Sequence, residues 1–196
     1  MAEAELRNIV AGLTIIFILW IAGYAIFSSL QNRVKAVAVS ARQTTPWQRI
    51  LLATAIIFDG YLIARAWFPA LDQWVFAQPS PAPLLAIAVM LAGGGLMVLT
   101  HLHMGASWRI GVPQDGGDIT KLITSGPHGA SRNPIYLGIL VMLAGATIAA
   151  PGPLTISGLI VTFIGMQSII AEEEAYLERQ FSDDYAAYKK RVRRWV

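Results

Sequence analysis

The sequence contains no cysteine. That excludes disulfides, thiolate metal sites and a cysteine nucleophile. Charge is scarce as well. Charged residues make up 14% of the 196 positions, whereas soluble domains carry roughly 25%. Hydrophobic residues make up 55%, and the mean hydropathy is +0.53, a balance that points to a membrane. Internal repeats, low-complexity stretches and a flexible linker are also lacking, so residues 1–196 read as one membrane domain. The opening MAEAELRN lacks the basic region of a secretory signal, because Glu3 and Glu5 stand against Arg7, and the apolar run behind it is too long. It reads as a retained transmembrane helix.

What is present is a series of apolar segments near the ~20 residues that a membrane-spanning helix needs. They cover residues 9–30, 50–68, 83–100, 135–150 and 154–170. The second contains Asp59 and Arg65, and the third contains Gly93, Gly94 and Gly95. Pro151, Gly152 and Pro153 separate the last two, where proline ends a helix and glycine permits a tight turn. The last two segments therefore form an antiparallel hairpin. The expected fold is all-α and polytopic, with about five transmembrane helices.

Lysine and arginine alternate between the loops. Arg33, Lys35, Arg42 and Arg49 crowd the first loop, and the second carries only Asp72. Arg109, Lys121 and Arg132 lie in the third, and the tail ends KKRVRRWV. The positive-inside rule then places the N-terminus outside and the C-terminus in the cytoplasm. The polar loop around 105–136 and the tail around 172–195 share the cytoplasmic side. In the tail, Leu177, Phe181, Tyr185, Tyr188, Val192 and Trp195 recur every three or four residues. That spacing predicts an amphipathic helix with one apolar face.

Individual polar features have plain readings. His101 and His103 are two apart, which puts them on different helix faces and argues against a joint metal site. The glycine triplet suits close helix packing better than phosphate binding. Asp59 and Arg65 receive no role. Glu172, Glu173 and Glu174 read as a hydrated helix start or as a site for a cation. SRNPIYLG, residues 131–138, reads as a helix start, with Asn133 as N-cap, Pro134 in the first turn and Arg132 snorkelling to the interface. The hairpin changes this, because it returns the acidic triplet to the face where SRNPIYLG lies.

With both motifs in place, the chain resembles the isoprenylcysteine carboxyl methyltransferase family and its phospholipid methyltransferase relatives. The family pattern Arg-His-Pro-x-Tyr-x-Gly corresponds to Arg132, Asn133, Pro134, Ile135, Tyr136, Leu137 and Gly138. After a helical hairpin come Glu173 and Glu174, then Leu177, Phe181, Tyr185 and Tyr188. The resemblance implies use of S-adenosyl-L-methionine, with S-adenosyl-L-homocysteine as product and no metal. It implies cofactor contacts from Thr120, Lys121, Leu122, Ile123, His128, Asn133, Pro134, Ile135, Tyr136, Glu173 and Glu174. Glu173 would hold the cofactor ammonium by a charge-assisted bond. Arg132 and Tyr136 would be catalytic. Arg132 would receive a carboxylate of cofactor or substrate, and Tyr136 or Trp108 would face the sulfonium.

Three positions depart from the family pattern. Asn133 stands where relatives keep histidine, and His128 stands where they keep tyrosine. Ile169 stands where eukaryotic members place an arginine for the substrate carboxylate. The expected reaction is methyl transfer to a lipophilic acceptor, foremost carboxyl methylation of an isoprenylcysteine-like substrate. Phosphatidylethanolamine N-methylation, or another small hydrophobic acceptor, is the alternative. A non-catalytic membrane scaffold is the alternative of another class. The expected partners are the lipid bilayer and the lipophilic or lipidated acceptor, with no nucleic acid. The oligomeric state stays open.

Overall fold

The computed structural model describes residues 1–32, 45–105, 108 and 121–196. Thr120, Arg109, Arg33, Lys35 and Arg42 lie outside the described residues. Helix α1 spans Glu3–Asn32, α2 Pro46–Ala64, α3 Leu71–Trp74 and α4 Pro83–Met104. A 3-10 turn at Gly126–Gly129 precedes α5, Pro134–Ala149, and α6, Pro153–Arg191. Among the described residues there is no strand. Four helices, α1, α2, α4 and α6, are long and apolar enough to cross a membrane. α5 is a shorter apolar helix of 16 residues, about 24 Å at 1.5 Å per residue. The chain is an all-α, integral membrane protein.

Helix starts follow local chemistry. α2 begins at Pro46, earlier than its hydropathy suggests, because Thr45 and Gln48 close a capping box. The Gln48 N–H donates to Thr45 Oγ1 at 3.3 Å, and the Thr45 N–H donates to Gln48 Oε1 at 3.0 Å. The helix then ends at Ala64, so Arg65 lies past its end rather than inside a span. The PGP turn forms as expected. Thr155 Oγ1 donates to the carbonyl of Ala150 at 2.7 Å, and the Gln78 N–H donates to that of Pro151 at 2.7 Å.

α4 and α5 form the most extensive helix pair. A Cβ added at Gly93 would sit 2.4 Å from the Met142 nitrogen and 2.5 Å from the Gly138 carbonyl oxygen. One at Gly138 would sit 2.7 Å from the Gly93 carbonyl oxygen. The two helices meet backbone to backbone, the packing that small residues allow in lipid.

The tail differs from the expected separate helix. α6, 39 residues in all, carries the apolar segment straight into the charged one with no separate helix start. It breaks at Ser182, where φ is 37° and ψ −108°. Past that point the chain folds back along α6: Lys189 meets Glu178, and Arg194 meets Glu174 and Gln167. Tyr185, Tyr188 and Val192 bury one face together with Leu177, Phe181 and Leu122, as the spacing predicts. Trp195 leaves that face and stacks on Phe163, with ring centres 5.8 Å apart.

At the end of the bundle where α1 begins and α2 finishes, four charges meet. Asp72 accepts from Arg7 Nη2 at 2.8 Å, from Arg65 Nε at 2.8 Å and from the Tyr61 hydroxyl at 2.8 Å. Arg65 also reaches Glu3 at 3.2 Å and is fully buried. Burial alone would raise the Asp72 carboxyl, but hydrogen bonds from Arg65, Tyr61 and Arg7 outweigh it and hold Asp72 below the usual carboxylate range.

Candidate active site

At the opposite end, α4 finishes, α5 begins and α6 leaves the apolar layer. Between them lies a cleft of about 290 Å³. α4 supplies Met97, His101 and Met104, and Trp108 follows in the loop. The 3-10 turn supplies His128, and the start of α5 supplies residues 132–136. α6 supplies Glu173, while Ile21 of α1 and Ile139 of α5 complete the lining. Gly105 lets the chain leave α4 at φ 51°, a region that favours glycine.

Asn133 occupies the N-cap position of α5, but its side chain makes no cap bond. Its Nδ2 instead donates to the carbonyl of Arg194 at 3.2 Å, and its N–H donates to Ser131 Oγ at 3.1 Å. Pro134 needs no partner in that first turn. Arg132 does not snorkel. Its Nη2 donates to Glu174 at 2.8 Å, and its Nη1 donates to the carbonyl of Val192 at 3.0 Å. The returning tail has taken up both side chains that were expected to face solvent or cap a helix.

The three consecutive glutamates separate into three environments, because neighbours on a helix point about 100° apart. Glu172 is exposed. Glu174 sits between Arg132 and Arg194, accepting from Arg194 Nη2 at 2.6 Å. Glu173 turns into the cleft and accepts the Tyr136 hydroxyl hydrogen at 2.6 Å. Among the described residues no cation pairs with Glu173. A carboxylate with a neutral donor, apolar walls and no counter-ion is a site for an organic cation.

His101 and Trp108 also line the cleft, with Tyr24 and Trp20 packed behind His101. Tyr24 stacks on His101 with centres 5.1 Å apart, and Trp108 meets His101 edge-on at 4.7 Å. Trp20 Nε1 donates to His101 Nδ1 at 3.1 Å. His128 is buried, and among the described residues its Nδ1 has no hydrogen-bond partner. Burial, helped by His103, lowers its pKa to about 4, so its ring is neutral at physiological pH.

The cleft thus brings together Trp108, His128, Arg132, Asn133, Pro134, Ile135, Tyr136 and Glu173 from the sequence-based set. It does not include Glu174, which faces the two arginines, nor Lys121, Leu122 or Ile123. Lys121 is exposed, and Leu122 packs on the tail tyrosines. Sequence reasoning missed Met97, Met104 and a cleft position for His101, and it missed Arg194. Only the packing of α1 and the tail against this end reveals them.

The model of the phospholipid methyltransferase family matches residues 82–184. That stretch runs from the start of α4 past Glu173 to the bend at Ser182. The chain is also similar to an uncharacterized protein of Haemophilus influenzae, 38% identical over 63 residues, which is 32% of this chain and all of that protein.

Proposed function

The chain belongs to the phospholipid methyltransferase family and is a membrane methyltransferase; from that premise we propose that the cleft uses S-adenosyl-L-methionine to methylate a lipophilic acceptor. The observation that supports this reading is Glu173, a carboxylate in the lining of the cleft that accepts the Tyr136 hydroxyl and, among the described residues, pairs with no cation. When bound, the cofactor supplies a methyl group on a positively charged sulfur, transferred by in-line displacement.

The residues divide the work. Glu173 holds the cofactor ammonium, and the Tyr136 hydroxyl fixes which carboxylate oxygen is free to do so. The ring faces of Tyr136 and Trp108 suit the sulfonium. His128, Asn133, Pro134 and Ile135 form the surrounding wall. The contacts to the adenosine end that the resemblance implies for Thr120, Lys121, Leu122 and Ile123 rest on that resemblance alone, since Lys121 to Ile123 lie outside the cleft lining. Arg132 acts from the lip of the cleft, where Glu174 and the tail carbonyls hold its guanidinium in place. Positioning and exclusion of water supply most of the rate, since displacement at a methyl group needs little covalent help from the protein.

Residues 1–196 act as one domain. The N-terminus lies outside and the cleft faces the cytoplasm, a reading supported by the run Arg33, Lys35, Arg42 and Arg49 against the lone Asp72. The acceptor enters from the bilayer. A carboxylate acceptor, as in an isoprenylcysteine-like acid, needs no general base. The second reading, N-methylation of phosphatidylethanolamine, is favoured by the family's description. It is favoured also by Ile169, which leaves no arginine for a substrate carboxylate at that position.

The test is calorimetry of S-adenosylhomocysteine binding to the purified protein and to Glu173→Gln. The wild type is expected to bind, and the variant to lose about 30-fold or more in affinity, the worth of one charge-assisted hydrogen bond. Absence of binding by the wild type sinks the methyltransferase reading. Equal affinity of the variant sinks the role of Glu173.

A further inference from the structure

His101 stands apart from the features assigned above. It is buried near the C-terminal end of α4, it lines the cleft, and it stacks against Tyr24. Its Nδ1 faces the indole nitrogen of Trp20 at 3.1 Å. An indole N–H can only donate, so Nδ1 must accept. A neutral ring then carries its hydrogen on Nε2, and a charged ring would set two N–H groups against each other. Among the described residues no hydrogen bond engages Nε2. The cleft lining therefore includes both a carboxylate, Glu173, and a histidine ring whose Nε2 carries a hydrogen.

The surroundings say what reaches that donor. Trp20 and Tyr24, which hold the ring, also line an outward apolar groove of about 360 Å³ with Leu19, Gly23, Phe27 and Leu102. Leu19, Phe27 and Leu102 are exposed on helices that cross the bilayer. The same pair of aromatic residues thus separates lipid from cleft.

We propose that His101 is a specificity-determining residue whose Nε2–H, set by the positioning residue Trp20, holds an oxygen atom of a lipophilic methyl acceptor within the cleft, on the other side of the Trp20–Tyr24 pair from the lipid-facing groove. This rests on the methyltransferase reading for the word acceptor, but the tautomer and the binding preference stand or fall without it. An anionic or carbonyl oxygen suits the donor, and an alkylammonium has no lone pair to offer.

The experiment is ring-nitrogen NMR of the full chain in nanodiscs with isotope-labelled histidine, His101 being identified by its loss in His101→Gln. At neutral pH the signal is expected to show Nδ1 bare and Nε2 protonated, and Trp20→Phe should give a mixture of tautomers. Dodecanoate is expected to shift the Nε2 signal, and dodecylamine is not. His101→Gln, which keeps a donor near Nε2, should bind dodecanoate nearly as well as the wild type. His101→Leu should weaken it about tenfold, the worth of one hydrogen bond. A wild-type ring protonated on Nδ1 overturns the proposal. So does a shift with dodecylamine, or with neither probe. S-adenosylhomocysteine binding, measured on the same samples, separates the two readings. Its absence in the wild type defeats the methyltransferase assignment, whereas its presence with a failed dodecanoate response defeats only the role of His101.

Discussion

The two ends of the helical bundle handle charge in opposite ways. At one end Glu3, Arg7, Arg65 and Asp72 face one another, two acids against two bases, with Tyr61 taking a further lone pair of Asp72. At the other end Glu174 has the same treatment from Arg132 and Arg194. Glu173, one residue away, has a phenol and, among the described residues, no basic partner. Matched charges tie α1, α2 and α3 together, whereas the unmatched one is the residue proposed above to hold the cofactor ammonium. The pairing, rather than the burial, separates structure from function in this molecule.

The sharpest way to break that contrast is at the matched end. Arg65→Leu leaves Asp72 short of its main partner and is expected to lower stability by about 3–5 kcal/mol, as removal of one member of a buried pair does. Unfolding in detergent measures it, and S-adenosylhomocysteine affinity of the folded fraction should not change. Pairing Arg65→Leu with Asp72→Leu should restore part of the loss.

The adjacent glutamates give the next largest effect, and they should behave as opposites. Glu174→Gln removes the centre of an arginine pair and should cost about 2 kcal/mol of stability, with little change in ligand affinity. Glu173→Gln should lose affinity while holding or gaining stability, because an unpaired carboxylate in an apolar cleft is costly to keep. Equal losses of stability in both variants would end the distinction.

The smallest effect concerns pH. His128 has a folded pKa of about 4, and an unfolded histidine titrates near 6.5. The folded pKa is depressed, so the unfolded chain binds the extra proton between those values. Stability is then full above about pH 6.5 and declines as pH falls toward 4. Between pH 7 and 5.5 the loss should be about 1 kcal/mol. His128→Gln should remove that share of the slope in thermal unfolding and leave the share of the buried His101.

Local signals were readable in the sequence. The apolar segments, the PGP hairpin and the glycine packing follow from length, proline and small side chains. Even the meeting of SRNPIYLG with Glu173 could be inferred, because a single hairpin joins them. Contacts across longer separations could not be read. Trp20 and His101 are 81 residues apart, and Arg65 and Glu3 are 62 apart. Neither pair has a pattern in one dimension. The bend at Ser182 was hidden for another reason. The apolar spacing of the tail continues through it, so periodicity reports the buried face and misses the reversal of direction.

The backbone contact between Gly93 and Gly138 has a consequence for how the chain tolerates change. Gly138 lies only two residues beyond Tyr136, and its neighbour on α4 is main chain. A side chain at either glycine must push α5 away from α4, carrying the Tyr136 hydroxyl off its place beside Glu173. Such a change removes none of the cleft's polar groups, yet it spoils the register of Tyr136 and Glu173. Sequence constraint therefore extends from the cleft along the α4–α5 seam, into a part of the protein that is otherwise simple apolar helix.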